Sequence, residues 1–261
     1  IQPDYALLLN ITNDHLDWHG SMKNYINSKF KIFKLQNNNQ YSIVNKNLRS
    51  TFKKKNLNGK LFFPNNLYYK KNKKKIKNTY LSLNINDENM SFVFTLTKIL
   101  KIKENSFLKS LNTFEGLPHR YEIFYKRKKN LFINDSKATS FQATKVALEN
   151  TKNIFWILGG LPKKNDKILL KKIKKNIIKA YIIGNNINFF KKQIRNQVEV
   201  FTARNLKNSV IQILKDIKVF KKKNNTILLS PASASYDQFS NFEERGKQFK
   251  KLCIYYARKY I

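Results

Sequence analysis

Short apolar runs alternate with helix-like stretches throughout the second half of this 261-residue chain. From Leu131 onward these runs read LFIND, NIFWILGG, AYIIGN, VEVF and TILLSPAS. Buried strands that alternate with helices pair in parallel, because each helix carries the chain back across the sheet. The pattern therefore predicts a doubly wound α/β fold. The last stretch predicts an amphipathic helix. Its apolar side consists of Phe239, Phe242, Phe249, Leu252 and Tyr256.

The residues that follow these strands form the candidate site. In open parallel sheets, ligands bind outside the carboxyl ends of the strands, where helix N-termini also present free backbone N–H groups to anions. Residues 135–139, 159–163 and 230–237 occupy such positions. A P-loop requires two glycines five apart followed by Lys and Ser or Thr, and none of the seven glycines satisfies that spacing. The sequence thus predicts anion-binding turns without a complete phosphate cradle.

The first part of the chain is less regular. The run YALLLNIT predicts a strand, and we expect a helix from about Met22 with Ser21 as its N-cap. A middle rich in Lys and Asn leads to a second apolar helix near Met90 to Leu100. The segment FEGLPHR, from Phe114 to Arg120, combines Gly and Pro and predicts a hinge between two units.

The charge of the chain suggests a different class of function. The chain has 52 Lys and Arg against 16 Asp and Glu, a net charge of +36. Clustered cations suit nucleic acid or another anionic surface. Here the lysines are spread through every segment together with abundant Asn and Ile, which is typical of codon bias in an AT-rich genome, and no nucleic-acid-binding motif accompanies them. We expect no specific nucleic-acid partner, and a basic nucleic-acid-binding protein is the less favoured alternative.

The apolar runs are too short to form a membrane segment. The longest, at Tyr5 to Leu9 and Ile154 to Leu158, fall far short of the roughly 20 residues that span a bilayer. The single Cys253 cannot form an internal disulfide, and no secretory signal opens the chain. These features predict a cytoplasmic protein without membrane insertion. Because the chain opens at Ile1 in a strand-like run, we expect that further residues precede it.

Two acids and two histidines crowd into the segment Asp14 to His19. A strand ending just before this segment would place Asp14 and His15 at its carboxyl end. Lys29 shares a four-residue spacing with Tyr25 and Phe33, and a partly buried lysine loses its proton easily, so that its amine can form a carbamate with carbon dioxide. Such a carbamate could hold a divalent metal together with His15. The spacing alone favours a second interpretation, a capped turn with Lys29 lying along the aromatic rings.

Several motifs resemble the Mur ligase family, in the branch whose members add D-glutamate. They are LLLNITNDHLDWHGSMKNYINSKFKIF, GLPHRYE, FINDSKAT, ILGG and LLSPASASYDQFSNFEERGKQF, and they occur in the family's order from Leu7 to Phe249. The resemblance implies that residues 1–116 are the later part of a P-loop-type ATP-binding central domain. Residues 117–261 are then a Rossmann-like, doubly wound C-terminal domain. The family's N-terminal domain and P-loop would lie before Ile1.

The resemblance also implies a metal site and a nucleotide site. His15 matches a histidine that binds magnesium, and Lys29 matches a lysine that is carbamylated and serves as a metal ligand and catalytic group. His119 is implied as a catalytic residue at the hinge. The residues implied to bind the nucleotide are Asn86, Asn89, Arg120 and Asp135. Ile85 replaces the histidine that the family has beside these asparagines, so the match is weaker there.

A third implied site binds the incoming amino acid. Lys137 is implied as catalytic, near the phosphoryl group in transfer. The residues implied to bind substrate are Thr139, Lys163, Ser235, Tyr236 and Phe242. The implied cofactors are ATP and Mg²⁺, and the implied substrates are UDP-N-acetylmuramoyl-L-alanine and D-glutamate, joined through an acyl phosphate by a monomer. The alternative is a catalytically inactive fragment that retains only a D-glutamate- or nucleotide-binding fold, since the chain lacks a P-loop.

Overall fold

A computed structural model describes residues 2–12, 16–164, 166–220 and 224–261, with only the backbone of Asp17. The described chain divides between Glu115 and Gly116 into two compact units. No helix within these described ranges is long and apolar enough to cross a membrane.

The first unit contains a small parallel sheet with helices. Its strands β1 (Tyr5–Leu8), β2 (Tyr41–Val44) and β3 (Lys60–Phe62) pair in that order. The helices are α1 (Leu16–His19), α2 (Met22–Phe30), α3 (Arg49–Lys54), α4 (Asn66–Asn72), α5 (Asp87–Ile99) and α6 (Glu104–Asn112). The Ser21 hydroxyl accepts a hydrogen bond from the backbone N–H of Asn24 at 3.2 Å, which confirms the predicted N-cap. The second apolar helix is also confirmed, as α5.

The second unit is built on a six-stranded sheet. Its strands are β4 (Glu122–Arg127), β5 (Asn130–Asn134), β6 (Ile154–Gly159), β7 (Ile177–Ile183), β8 (Glu199–Arg204) and β9 (Asn225–Leu229), and they lie in the order β4-β5-β9-β6-β7-β8. The helices are α7 (Phe141–Asn150), α8 (Ile187–Ile194), α9 (Leu206–Val219) and α10 (Phe242–Tyr260). All neighbouring strands pair in parallel except β4, which is antiparallel to β5.

The five strands predicted from the apolar runs are all present, whereas β4, like β2 and β3 of the first unit, was not predicted from the sequence. β4 is a half-exposed edge strand, so it lacks the continuous apolar run of a strand buried on both faces. The turn into β5 contains only Lys128 and Lys129, without the Gly or Asn that usually marks a hairpin. Lys128 nevertheless adopts a positive φ of 50°.

The core of the second unit lies between the sheet and its helices. All six residues of β6 are buried, which accounts for the uninterrupted apolar sequence of this strand. Phe249, Cys253 and Ala257 of α10 pack against the same core cluster as residues of α9. The predicted C-terminal helix is confirmed, but it begins at Phe242 because Asn241 caps it; Phe239 lies outside the helix and packs against the core from the preceding loop.

Candidate functional site

Three loops meet at the carboxyl edge of the second unit's sheet. They follow β5, β9 and β6, which are adjacent in the strand order. The loops are joined directly, because Leu161 and Ala234 form an isolated antiparallel bridge with N–O distances of 2.9 and 3.0 Å. The backbone N–H of Lys137 donates to the carbonyl of His119 at 3.0 Å, which attaches the turn before β4 to the loop after β5. The sequence-predicted loop segments are therefore held in one place.

A buried arginine links two of these loops. Arg245 of α10 is 1% exposed; its Nε donates to Ser136 Oγ at 3.0 Å, and its Nη2 donates to the carbonyls of Ser136 and Ser233 at 2.9 and 3.0 Å. Burial lowers the pKa of Arg245 to about 10, and the charge of Asp237 opposes that shift, so the guanidinium stays protonated at neutral pH. Its Nη1 has no hydrogen-bond partner within the described part of the chain.

Arg245 was not among the residues predicted from the sequence, although a signal was present. Arg245 lies three residues after Phe242 and four before Phe249, so it falls on the apolar side of the predicted helix. A charged residue at such a position is buried and needs polar partners. Those partners are backbone carbonyls of the neighbouring loops, which no helical pattern identifies.

Replacing Arg245 with Met should lower the free energy of unfolding of the second unit by about 2 kcal/mol. The change keeps an unbranched side chain but leaves the Ser136 and Ser233 carbonyls without their buried donor, which is the costly outcome for a hydrogen bond. Denaturant unfolding followed by circular dichroism measures the effect. Arg258→Met, at an exposed position of the same helix, is the control and should change stability by less than about 0.5 kcal/mol. Equal stabilities for the two variants would contradict the proposed linkage.

Asp135 occupies a buried polar network below the loops. Its Oδ1 accepts the backbone N–H of Tyr121 at 3.1 Å, and its Oδ2 lies 2.7 Å from Ser230 Oγ. Burial raises the pKa of Asp135 to about 7, although the hydrogen bonds from Ser230 and Tyr121 and the charge of Arg120 oppose the shift. The Ser230 carbonyl also accepts the Trp156 Nε1–H at 2.8 Å. A carboxyl group so close to half-protonation at neutral pH is characteristic of a functional site.

Two cations and an aromatic ring lie on the segments next to Asp135. Lys137 Nζ lies 3.7 Å from the centroid of the Phe242 ring, a close cation–π contact. The Phe242 carbonyl accepts a hydrogen bond from Ser136 Oγ at 2.8 Å. Arg120 precedes Tyr121 in the turn before β4, and its charge reaches Asp135. Thr139 continues the loop, with its N–H donating to the Lys137 carbonyl at 2.9 Å.

The residues predicted to bind the amino acid lie on the other two loops. Lys163 is half-buried and follows Leu161, the residue bridged to Ala234, whereas Ser235 comes directly after Ala234 and is buried. The Ser235 carbonyl accepts the N–H of Phe239 at 2.9 Å. The ring of Tyr236 is 71% exposed. The bridge thus places the Lys163 and Ser235 loops beside each other at the sheet edge.

The predicted residues of the first unit are more scattered. His15 lies outside the described residues. Lys29 is exposed, with Nζ 5.4 Å from the Tyr25 ring centroid, so the expected partly buried position is wrong. The reason is that α2 ends at Phe30, and Phe33 lies in a following 3₁₀ turn, so the four-residue spacing does not continue along one helical face.

The two asparagines also differ from one another in environment. Asn86 is buried in the 3₁₀ turn before α5, where its Nδ2 donates to the Tyr80 carbonyl at 2.7 Å, and Asn89 is exposed on α5. Across residues 2–12, 16–164, 166–220 and 224–261, no three His, Cys, Asp or Glu side chains are grouped so as to hold a metal ion. Of the predicted metal ligands His15 and Lys29, only Lys29 is among the residues that the structure describes, so this ligand pair stays a prediction.

The fold and the joined loops define a doubly wound α/β protein with its candidate site at the carboxyl edge of the sheet. Residues 1–111 match the family model described as the Mur ligase middle domain. The chain is 34% identical over 267 residues to a UDP-N-acetylmuramoylalanine–D-glutamate ligase of Wolbachia sp. subsp. Brugia malayi, covering 97% of this chain and 53% of that protein. Residues 1–111 thus match the Mur ligase middle domain, and the chain, which is similar to this ligase along 97% of its own length, spans about half the length of this curated relative.

Solved structures support the same fold. The MurF ligase from Thermotoga maritima in complex with ADP matches with a TM-score of 0.65 and 14% identity, over 99% of this chain and 63% of that one. A bifunctional folylpolyglutamate synthase/dihydrofolate synthase from Yersinia pestis, complexed with AMPPNP and Mn ion, matches with a TM-score of 0.60 and 12% identity, over 97% and 62%. The predicted α/β fold class is confirmed.

Proposed function

We propose that this chain is the later part of an ATP-dependent ligase that joins D-glutamate to UDP-N-acetylmuramoyl-L-alanine. The observation that carries the proposal is the direct joining of the Lys163 and Ser235 loops at the carboxyl edge of the second sheet. The relative that matches nearly the whole chain is named for D-glutamate addition. In this proposal the first unit belongs to the ATP-binding central domain, the second is the C-terminal domain, and the protein acts in the cytoplasm as a monomer.

The incoming D-glutamate carries two carboxylates, and the second unit offers separate partners for them. Lys163 would bind one carboxylate as an ion pair. Ser235, together with the backbone at Phe242 where α10 begins, would bind the other, because a helix N-terminus presents free N–H groups. Thr139 and Tyr236 would border the same ligand. A fixed pair of anion sites selects the length of a diacid.

The nucleotide would lie against the turn before β4 and the loop after β5. Arg120 and Lys137 would neutralise phosphate oxygens, and Asp135 would accept hydrogen bonds from ribose hydroxyls. The resemblance also assigns Asn86 and Asn89 to nucleotide binding, and we include them in the proposal. ATP would supply the phosphoryl group that activates the substrate carboxylate as an acyl phosphate, which the D-glutamate amine attacks with release of phosphate. A carbamate on Lys29 as a metal ligand with His15 remains our proposal from the sequence resemblance.

D-glutamate-dependent ADP release tests the proposed reaction. The chain would be fused behind the residues of the Wolbachia relative that precede its matching region, and folding of the fusion checked by thermal melting. We expect ADP release that requires both UDP-N-acetylmuramoyl-L-alanine and D-glutamate. Lys163→Ala should raise the KM for D-glutamate about tenfold or more, since it removes a charged partner. Lys164→Ala, at the exposed neighbouring position, is the matched control and should leave KM unchanged.

Two results would count against this function. Equal turnover with L-glutamate would contradict the D-glutamate assignment. A folded fusion that binds D-glutamate without releasing ADP would favour the inactive fragment. Binding of arbitrary DNA with a steep salt dependence would instead support the nucleic-acid alternative.

A further inference from the structure

The ring of His119 is held in a tight slot. It is 5% exposed and meets the Phe242 ring edge-on, with centroids 5.9 Å apart and planes at 81°. A Cβ atom at Gly246 would collide with His119 Nδ1, so α10 can approach the ring only because residue 246 is glycine. The backbone of His119 has a positive φ of 63°. The slot fixes the plane of the imidazole. Which ring nitrogen carries the proton then depends on the hydrogen-bond partner of the ring.

That partner is the side-chain amide of Asn134, whose orientation follows from its other contacts. Its Oδ1 accepts the backbone N–H of Ser136 at 3.2 Å. Its Nδ2 therefore faces Glu122 Oε2 at 2.9 Å and His119 Nδ1 at 3.0 Å. A backbone N–H can only donate and an ionised carboxylate can only accept, so the amide cannot be reversed without losing both contacts. Asn134 Nδ2 must then donate to His119 Nδ1.

Glu122 is held in the state that this assignment requires. Burial by itself would raise the pKa of Glu122, but hydrogen bonds from Lys250, the His119 backbone N–H and Asn134 outweigh it, and the pKa lies below its usual value. Lys250 Nζ lies 2.5 Å from Glu122 Oε1, and the backbone N–H of His119 donates to Glu122 Oε2 at 3.0 Å. Glu122 is thus ionised at neutral pH and holds both Asn134 and the turn that carries His119.

We propose that Asn134, oriented by Glu122, is a positioning residue that keeps the His119 ring neutral with its proton on Nε2, so that Nε2–H is a hydrogen-bond donor to a phosphate oxygen of a nucleotide. The nucleotide part rests on the proposed function. An Nδ1–H ring would instead present a lone pair at Nε2 and repel an anion. Nε2 has no hydrogen-bond partner among the residues that the structure describes.

The surroundings of the ring also favour its neutral form. Burial lowers the pKa of the His119 imidazole, and the charges of Lys250 and Lys247 act in the same direction. The charges of Glu122 and Glu243 oppose the shift without reversing it. A neutral ring of fixed tautomer therefore presents Nε2–H as a donor over the whole neutral range.

Nitrogen-15 NMR of the histidine rings tests the tautomer directly on the 261-residue chain. The chain has only three histidines, and His119→Gln assigns the signal. We expect the wild-type ring to show the Nε2–H pattern at neutral pH. Asn134→Asp places an acceptor beside Nδ1 and should move the proton to that atom. Asn130→Asp, the same change on the same buried strand, is the control and should leave the pattern unchanged.

The outcomes separate the inference from the proposed function. An Nδ1–H or doubly protonated ring in the wild type overturns the inference, as does an unchanged pattern in folded Asn134→Asp. Where that variant does not fold, Asn134→Ala replaces it and should give a mixture of tautomers; a pure Nε2–H pattern would then overturn the role of Asn134. ADP titration of the fusion that carries the preceding residues of the Wolbachia relative is the second measurement: we expect about tenfold weaker binding in Asn134→Asp than in the Asn130→Asp control. The Nε2–H pattern without any ADP binding would contradict the nucleotide assignment alone.

Discussion

Trp156→Ala should lower the free energy of unfolding of the second unit by about 4 kcal/mol, the typical cost of deleting a large aromatic side chain from a packed core. Trp156 is fully buried in the central strand β6. Its Nε1–H donates to the Ser230 carbonyl at 2.8 Å, so the variant also leaves a buried acceptor unpaired. Both losses act on the strand end from which the candidate site is built.

The chain contains a matched control for this change. Trp18, the only other tryptophan, is 86% exposed, and Trp18→Ala should change stability by less than about 0.5 kcal/mol. Circular dichroism during guanidinium unfolding reports both variants without relying on tryptophan fluorescence. A loss below about 1 kcal/mol for Trp156→Ala would contradict tight packing of the core around this ring.

Asp135 should make the second unit less stable as the pH rises from about 4 to about 7. Its pKa rises from the usual 3.8 to about 7 on folding, chiefly through burial, so the folded state keeps a proton that the unfolded state releases in this range. Stability falls with increasing pH wherever the native state binds more protons than the unfolded state. At about 1.4 kcal/mol per pKa unit, the contribution amounts to about 4 kcal/mol between the two ends of the window.

Asp135→Asn should remove this pH dependence, because the amide remains neutral and can still accept the Tyr121 N–H. The measurement is the free energy of unfolding at pH 5 and pH 8, and the variant should gain stability over the wild type at the higher pH. Asp216→Asn is the control. Burial raises the pKa of Asp216, but hydrogen bonds from Tyr181, Lys179 and Gln212 bring it below its usual value, so its stability contribution is lost only below about pH 4. A wild-type slope that survives in Asp135→Asn would exclude Asp135 as its source.

Burial pattern decides which parts of the fold the sequence predicts. The strands β5, β6, β7 and β9 appear as apolar runs because most of their residues are buried. β8 was predicted from its run VEVF, although only Ala203 in this strand is buried. β4 has no such run, since its outer edge faces solvent. The spacing of Tyr25, Lys29 and Phe33 misled because it assumes that α2 continues, whereas the helix ends at Phe30.

The sequence predicts the loops of the candidate site better than it predicts the contacts that hold those loops in place. The loops after the strands follow from the topology alone, and the resemblance names the residues on them. The supporting contacts, such as Arg245 with Ser136 and Asn134 with His119, join residues more than ten positions apart and leave no periodic trace in the sequence. They become visible only once the strands are placed side by side.

The backbone bridge between Leu161 and Ala234 has a thermodynamic consequence. Two independent loops would each lose conformational freedom when a ligand bound to them, at about 1–2 kcal/mol per ordered residue. Here that ordering is completed during folding, together with the core of the second sheet. A ligand that contacts both loops therefore retains more of its interaction energy as affinity, and mutations that break the bridge would weaken binding by restoring loop entropy without removing any contact to the ligand.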